Sequence, residues 1–290
     1  MKIAILASGG LGLKCIEDIF KNYKIDFIAT DSASAGIIEF AEQKAIPVFK
    51  GNPRKGKLFE FAKGFQLDIL FSINYLFIIE PDMISLAVYP INFHGSLLPK
   101  YRGRTPHVWS IINNEKQTGI TAHIIDDGCD TGDIILQKLI GINEVDTGND
   151  ILQKYVAIYP GMINEIIALF KKNAIQSSPQ QHALATYFDK RTPEDGEINW
   201  NWQKERINNW IRAQALPYPG AFTFYNSTKI IIDKIAYSDI GYNNNIANGT
   251  VLKCNGEMMS VKTSNGAIDL IEIRKVEGGI FPPTGSKLGS

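Results

Sequence analysis

Three cysteines in 290 residues, Cys15, Cys129 and Cys254, are odd in number and widely spaced, which argues against a disulfide framework and against a Cys-x-x-Cys metal site. Thiols used so sparingly fit a reducing compartment, and the expected localisation is cytoplasmic. Net charge is missing too. Thirty Lys and Arg against 30 Asp and Glu create no global pull toward nucleic acid or an anionic membrane, although local basic patches remain open. Nor is there a long apolar run: residues 1–7 are far shorter than a spanning helix and are followed by glycines rather than a small-residue cleavage site, so they read as a first buried strand. No internal repeat and no low-complexity segment stands out. His107, His123 and His182 lack metal-ligand spacing, read as structural, and imply no metal.

Against these absences stands one run, Ile91-Asn92-Phe93-His94-Gly95-Ser96-Leu97-Leu98-Pro99-Lys100-Tyr101-Arg102-Gly103-Arg104-Thr105-Pro106. Asn92 and His94 interrupt an otherwise apolar strand. Two residues apart on an extended backbone, they leave the same face. The Asn amide offers N–H groups to a developing oxyanion, and an imidazole with an unperturbed pKa of about 6.5 exchanges a proton near neutrality. Leu97 and Leu98 suit a flat ligand, and the cations Lys100, Arg102 and Arg104 suit an anionic one. Downstream, Asp126-Asp127-Gly128-Cys129-Asp130-Thr131-Gly132-Asp133 forms a turn too acidic for a core.

The surrounding pattern alternates strand and helix. Residues 2–7, 25–30, 46–49 and 67–73 read as strands, and residues 13–20 and 37–44 as helices. This predicts a Rossmann-like, doubly wound, mostly parallel sheet. Gly9, Gly10 and Gly12 do not make G-x-G-x-x-G, so the dinucleotide fingerprint fails. Ser8, Gly9 and Gly10 remain candidates for a phosphate at a helix N-terminus. A helix starts at Thr105-Pro106, a strand over 118–125 leads to the acidic turn, and residues 150–171 form a long amphipathic helix. Residues 173–181 are polar and suit a linker. Helical spacing returns around Trp202, Ile207, Trp210 and Ile211. Beyond residue 221, about five short strands are separated by Asn, Gly and Ser turns, which predicts a small open β-barrel, OB-like in kind. The expected division is a Rossmann-like catalytic domain over 1–185 and a smaller β-rich domain over 186–290.

Asn92-x-His94 followed by Gly-Ser-Leu-Leu-Pro, and then Asp130-Thr-Gly-Asp133, resembles the folate-dependent formyltransferase family. In that family the Asn, the His and the first Asp of the D-T-G-D turn are catalytic, and they match Asn92, His94 and Asp130 without departure. The resemblance implies 10-formyltetrahydrofolate as formyl donor and Asp130 beside His94, orienting it and raising its pKa. It also implies a folate pocket lined by Phe77 and Ile78, Leu97 and Leu98, contacted by Arg104 and, through the turn backbone, by Asp126, Asp127, Gly128 and Cys129. Taken by itself, Cys129 reads as a small packing residue.

Residues 185–200 and 212–222 also resemble family members that carry a C-terminal domain, so the likeness covers most of the chain. Members that formylate glycinamide ribonucleotide resemble the first domain alone. Members that formylate initiator methionyl-tRNA carry a basic insertion after the second strand. Residues 30–36 are short and hold no Lys or Arg, and residues 191–290 hold 11 Lys and Arg against 10 Asp and Glu. Arg-Thr-Pro-Glu-Asp-Gly and Pro-Tyr-Pro-Gly-Ala-Phe most resemble the formyltransferases of nucleotide-linked amino sugars. The expected acceptor is therefore a dTDP- or UDP-linked amino sugar destined for surface polysaccharide. Ser8, Gly9, Gly10, Lys100, Arg102 and Tyr218 are its expected contacts. No nucleic-acid or membrane partner is expected, and a homodimer is the assembly considered. The alternatives are methionyl-tRNA formylation and a folate- or nucleotide-binding protein without catalysis, which an incomplete triad would have favoured.

Overall fold

The computed structural model describes residues 1–256, 258–276 and 281–289. They form two compact units that are not consecutive in sequence. The first comprises Met1–Gly103, Thr118–Ile140 and Gln153–Phe188; the second comprises Arg104–Gln117, Gly141–Leu152 and Asp189–Ser290. By packing, the second unit thus draws in residues 104–117 and 141–152 from before the division expected at 185/186.

In the first unit, β1 (Ile3–Ala7), α1 (Gly9–Phe20), β2 (Phe27–Thr30), α2 (Ala35–Gln43), β3 (Val48–Lys50), α3 (Lys57–Ala62), β4 (Leu67–Ile73), α4 (Pro81–Ile84) and β5 (Ala87–His94) follow in order. All five residues of β1 and all four of β2 are buried, as strands covered on both faces of a parallel sheet must be. β6 (Arg102–Gly103), α5 (Pro106–Ile112), β7 (Gln117–Ile124), β8 (Ile134–Gly141), α6 (Gly148–Lys171) and β9 (Tyr187–Phe188) complete the first two-thirds of the chain. The main sheet runs β3-β2-β1-β4-β5-β7-β8. Its pairs are parallel from β3 to β5, whereas β7 lies antiparallel to β5. The mostly parallel, doubly wound architecture is present.

Gly12 belongs to this packing. A Cβ there would stand 2.8 Å from the Ala7 Cβ, so the glycine brings α1 against β1. Under the sheet, Phe27, Leu58, Leu67, Leu70 and Met83 form a buried cluster against which Phe61, Phe65 and Phe77 pack.

In the second unit, α7 (Lys204–Ala213) packs against α5 and β11. The strands are β10 (Ala221–Tyr225), β11 (Thr228–Ser238), β12 (Val251–Asn255), β13 (Met258–Thr263) and β14 (Gly266–Val276), in the order β10-β11-β14-β13-β12. Five strands stand where five are predicted, as an antiparallel sheet bulged along β11 and β14. Asn226 and Ser227, with φ of 47° and 65°, turn β10 into β11, the positive pair that a two-residue hairpin of matching twist requires. The Arg212 guanidinium explains why residues 141–152 belong here: it is buried and donates to the carbonyls of Asn143 (3.3 Å) and Asp146 (2.5 Å). Among the described residues no helix is long and apolar enough to cross a membrane.

Candidate active site

β5 ends at the carboxyl edge of the sheet, and its last residues are the polar pair seen in the sequence. His94 is buried, Asn92 is half-buried, and Asp130 joins them from the turn after β7. His94 Nδ1 lies 3.5 Å from Asp130 Oδ1. The other ring nitrogen, Nε2, lies 2.7 Å from the Tyr101 carbonyl. A carbonyl only accepts, so Nε2 carries hydrogen in either charge state, and Nδ1 is the atom that gains and loses a proton. That atom faces the carboxylate.

The Asp130 position is set by its backbone and by its neighbours. Its φ is 55°, in the left-handed region that Asp tolerates better than most residues. Gly103 donates its N–H to Asp130 Oδ2 at 2.9 Å. No side chain fits at Gly132, since a Cβ there would lie 1.9 Å from the Ile124 carbonyl oxygen. Asp126 and Asp127 are exposed and Asp133 is half-buried. The Asp126 carboxylate accepts from the Gly128 N–H (3.1 Å) and the Thr131 hydroxyl (2.6 Å), so Asp126 caps the turn.

Burial acts to raise the Asp130 pKa, but the charge of His94, the imidazole of His123 and the Gly103 N–H outweigh it and hold the carboxyl well below the usual carboxylate range. For His94, desolvation is the largest influence and pulls the imidazole below its ordinary value, against the opposing pull of Asp130 and of the Tyr101 carbonyl. Asp130 does pull the His94 pKa upward, as expected, but it does not set the net direction. Loss of hydration outweighs the nearby carboxylate, and the resting pair is a neutral imidazole beside an ionised acid.

His123 joins this cluster, a placement that sequence reasoning missed. Antiparallel pairing sets it directly across from Asn92, on the same face. Its Nδ1 meets the Ile124 carbonyl at 2.7 Å, so that nitrogen holds the hydrogen and Nε2 accepts from the Asn92 amide at 3.1 Å. The second Asn92 N–H points to Asp130 Oδ1 at 3.4 Å, a long contact. Asn92, His94, His123 and Asp130 thus form one polar cluster, not a triad with a bystander. The only sequence signal was His123's position in the strand leading to the acidic turn, which by itself does not give the pairing partner.

The loops after β4 and β5 leave adjacent parallel strands at the same edge, where open α/β sheets bind ligands. Ile78 is 69% exposed and Leu76 48%, while Phe77 is half-buried against Tyr75. Two exposed apolar side chains here are more than core packing needs. Leu97 is half-buried, close enough to Gly119 that a Cβ there would meet Leu97 Cδ2 at 2.3 Å. Leu98 is buried, held by the Thr121 hydroxyl and by Gln137. Cys129 is exposed, which corrects its reading as a packing residue.

Among the expected substrate contacts, Lys100 and Gly10 are exposed and Ser8 is buried. The Gly9 N–H is occupied by Ser34 Oγ at 2.9 Å, and the Ser34 hydroxyl in turn donates to Asp31 at 2.6 Å. Arg102 is corrected outright. It is 1% exposed and its guanidinium donates to Tyr187 Oη (2.5 Å), Gln180 Oε1 (2.7 Å) and His182 Nδ1 (3.1 Å). It is an interior cation rather than a surface one. Arg104 and Tyr218 lie in the second unit. Arg104 is exposed; Tyr218 is half-buried, bonded to His107 Nε2 at 2.8 Å, and burial raises its hydroxyl to about 12. A cleft of about 840 Å³ within the second unit, bordered by Glu144, Arg212 and Tyr237, includes none of the four clustered residues.

Comparison with known proteins places this geometry in context. A family model described as Formyl transferase matches residues 1–166, and one described as Formyl transferase, C-terminal domain, matches residues 190–283. The bifunctional polymyxin resistance protein ArnA of Wigglesworthia glossinidia brevipalpis is 35% identical over 275 residues, covering 90% of this chain and 41% of the relative. This chain therefore spans about two-fifths of the length of that curated relative. WlaRD, a sugar 3N-formyl transferase solved in the presence of dTDP and 5-N-formyl-THF, matches with a TM-score of 0.72 at 22% identity, covering 95% of this chain and 98% of that one. An N-formyltransferase from Helicobacter canadensis, in complex with folinic acid and dTDP-3-aminofucose, matches with a TM-score of 0.71 at 24% identity, covering 94% and 99%. At such identities the solved structures establish the fold.

Proposed function

Since this chain belongs to the formyl transferase family, we propose that it moves a formyl group from 10-formyltetrahydrofolate to the amine of a dTDP- or UDP-linked amino sugar, in the cytoplasm and for surface polysaccharide. The observation that carries the reading is the cluster itself: a buried imidazole whose titrating nitrogen faces an ionised carboxylate, beside an amide with one loosely held N–H. The amine nitrogen attacks the formyl carbon, and negative charge gathers on the formyl oxygen. Asn92 turns its looser N–H to that oxygen, a donation of the kind worth about 3 to 4 kcal/mol. His94 Nδ1 takes the proton the amine sheds and returns it to the folate nitrogen as the carbon–nitrogen bond breaks. Asp130 stabilises the imidazolium in between. Exposed Leu76 and Ile78, with Leu97, offer an apolar wall suited to the flat pterin.

The neighbours solved in the presence of dTDP and in complex with dTDP-3-aminofucose support a nucleotide-linked acceptor. So does the turn after β2, where Asp31 is folded in on Ala33 and Ser34 and residues 30–36 hold no Lys or Arg to meet tRNA. A nucleotide handle adds binding energy remote from the reacting amine and orients it. Given 10-formyltetrahydrofolate and a panel of dTDP- and UDP-linked amino sugars, the protein should formylate at least one, with a gain of about 28 daltons and release of tetrahydrofolate, and should act far more slowly on the free sugar. Equal rates with and without the nucleotide, or formylation of charged initiator tRNA instead, overturn the assignment.

A further inference from the structure

A second layer of buried polar groups stands behind Asp130, and it begins with Gln180. This residue follows the long helix, in the polar stretch that reads as a linker, yet it is 5% exposed. Its Nε2 donates to the Asp130 carbonyl at 2.9 Å and to the Gly132 carbonyl at 2.7 Å, and its Oε1 accepts from Arg102 at 2.7 Å. Carbonyls only accept and a guanidinium only donates, so the amide has a single satisfactory orientation. Both amide hydrogens are spent on the two carbonyls that flank Thr131.

Arg102 locks this orientation from behind. Besides Gln180 it meets Tyr187 and His182, all neutral acceptors, and the Arg102 N–H bonds the Thr186 carbonyl at 2.8 Å. The next residue, Gly103, donates to the Asp130 carboxylate. One short strand thus reaches Asp130 twice, through the Gly103 amide to its side chain and through Arg102 and Gln180 to its backbone. A buried guanidinium met by neutral groups is expensive to hold as mere packing. Asp130 itself sits at φ 55°, a conformation that persists only where the surroundings determine it.

We propose that Gln180 and Arg102 are positioning residues for formyl transfer: Gln180 clamps the Asp130–Gly132 backbone so that the Asp130 carboxylate faces His94 Nδ1, and Arg102 fixes the Gln180 amide. The proposal rests on the formyl-transfer reading for its kinetic consequence and on geometry alone for its electrostatic one. Both side chains are buried and spent on protein partners, so both act through Asp130. Gln180→Glu keeps the shape and the Arg102 contact but cannot donate to either carbonyl; Gln180→Ala removes the clamp entirely.

Both variants should lower kcat by about 10- to 100-fold, the scale of a misplacement near 1 Å, with KM for the nucleotide sugar within about twofold. In an Asp130→Ala background Gln180→Ala should add almost nothing, because residues acting through one group are non-additive. Independently of any substrate, the NMR titration of the His94 ring in Gln180→Ala should move to lower pH, as the carboxylate spends less time beside Nδ1. Unchanged kcat in both variants, effects that multiply in the Asp130→Ala background, or a His94 titration indifferent to Gln180 would each overturn the proposal. If the wild-type protein formylates no member of the panel, the functional reading falls while the titration still decides the clamp. Circular dichroism and Tm confirm folding, and the isosteric Gln180→Glu serves if the alanine variant does not fold.

Discussion

At the residue scale, the chemistry turns on which atom of His94 is free to change its proton. Tyr101 ties up Nε2, and burial favours the neutral ring, so the reactive form is the one already present at neutral pH. As a base His94 must be unprotonated; kcat/KM should therefore rise with pH and level off through a midpoint below the ordinary histidine value of about 6.5. A midpoint above that value would place the carboxylate's pull ahead of desolvation, contrary to the geometry. His94→Ala and Asp130→Ala should stay folded and lose turnover by roughly two to four orders of magnitude, read in the formylation assay; near-native rates in folded variants would remove the mechanism. Asn92 and His94 stood out because a period-two polar pair in an apolar strand has no packing explanation, and the acidic turn stood out for the same reason, with Asp130 singled out within it by the family resemblance. His123 and Gln180 were not legible. Each owes its role to a partner 31 or 50 positions away in sequence, and a side chain's polarity does not reveal which distant group will satisfy it. Arg102 misled for a related reason: three cations in five residues suggest a surface, and only the pairing with residues 180–187 turns the middle one inward.

At the element scale, β6 and β9 are two residues each and would pass unnoticed as loop, yet their parallel pairing holds Tyr101, Arg102 and Gly103 in place. Tyr101 stacks on Phe188 at 4.9 Å, and Gly103 has φ 100° with the Phe188 carbonyl 2.2 Å from where a Cβ would be. Only glycine accepts that backbone so close to a neighbour. Gly103→Ala should destabilise by about 1–3 kcal/mol from the conformation alone, and should depress turnover further by disturbing the N–H that reaches Asp130. Urea denaturation and the formylation assay check the two effects separately; a variant of unchanged stability would show that the strand pair tolerates displacement. The longer elements were read well from periodicity, β4 to the residue and α6 within two positions of its start. The six-residue α3 was not, because it is held by Phe61 against Phe27 and not by its own propensity.

At the scale of the whole molecule, the expected boundary at 185/186 matched a change of composition, which is what a sequence displays. It does not display that α5 packs on α7, or that Arg212 caps the carbonyls of Asn143 and Asp146. A fragment of residues 1–185 would leave α5 without its partner helix and bare the buried Val108 and Ile111; it should express as aggregate, whereas the full chain stays monodisperse by light scattering. A soluble, monodisperse fragment would mean that α5 is self-sufficient. The interleaving also bears on inheritance. A recombination event that exchanges everything after residue 185 between two related genes would join a new α7 and a new Arg212 to an old α5 and an old 141–152 segment. Crossovers at that point would be purged unless the two parents already agreed at these borrowed stretches, so the second unit can be traded between lineages only as three pieces moving together.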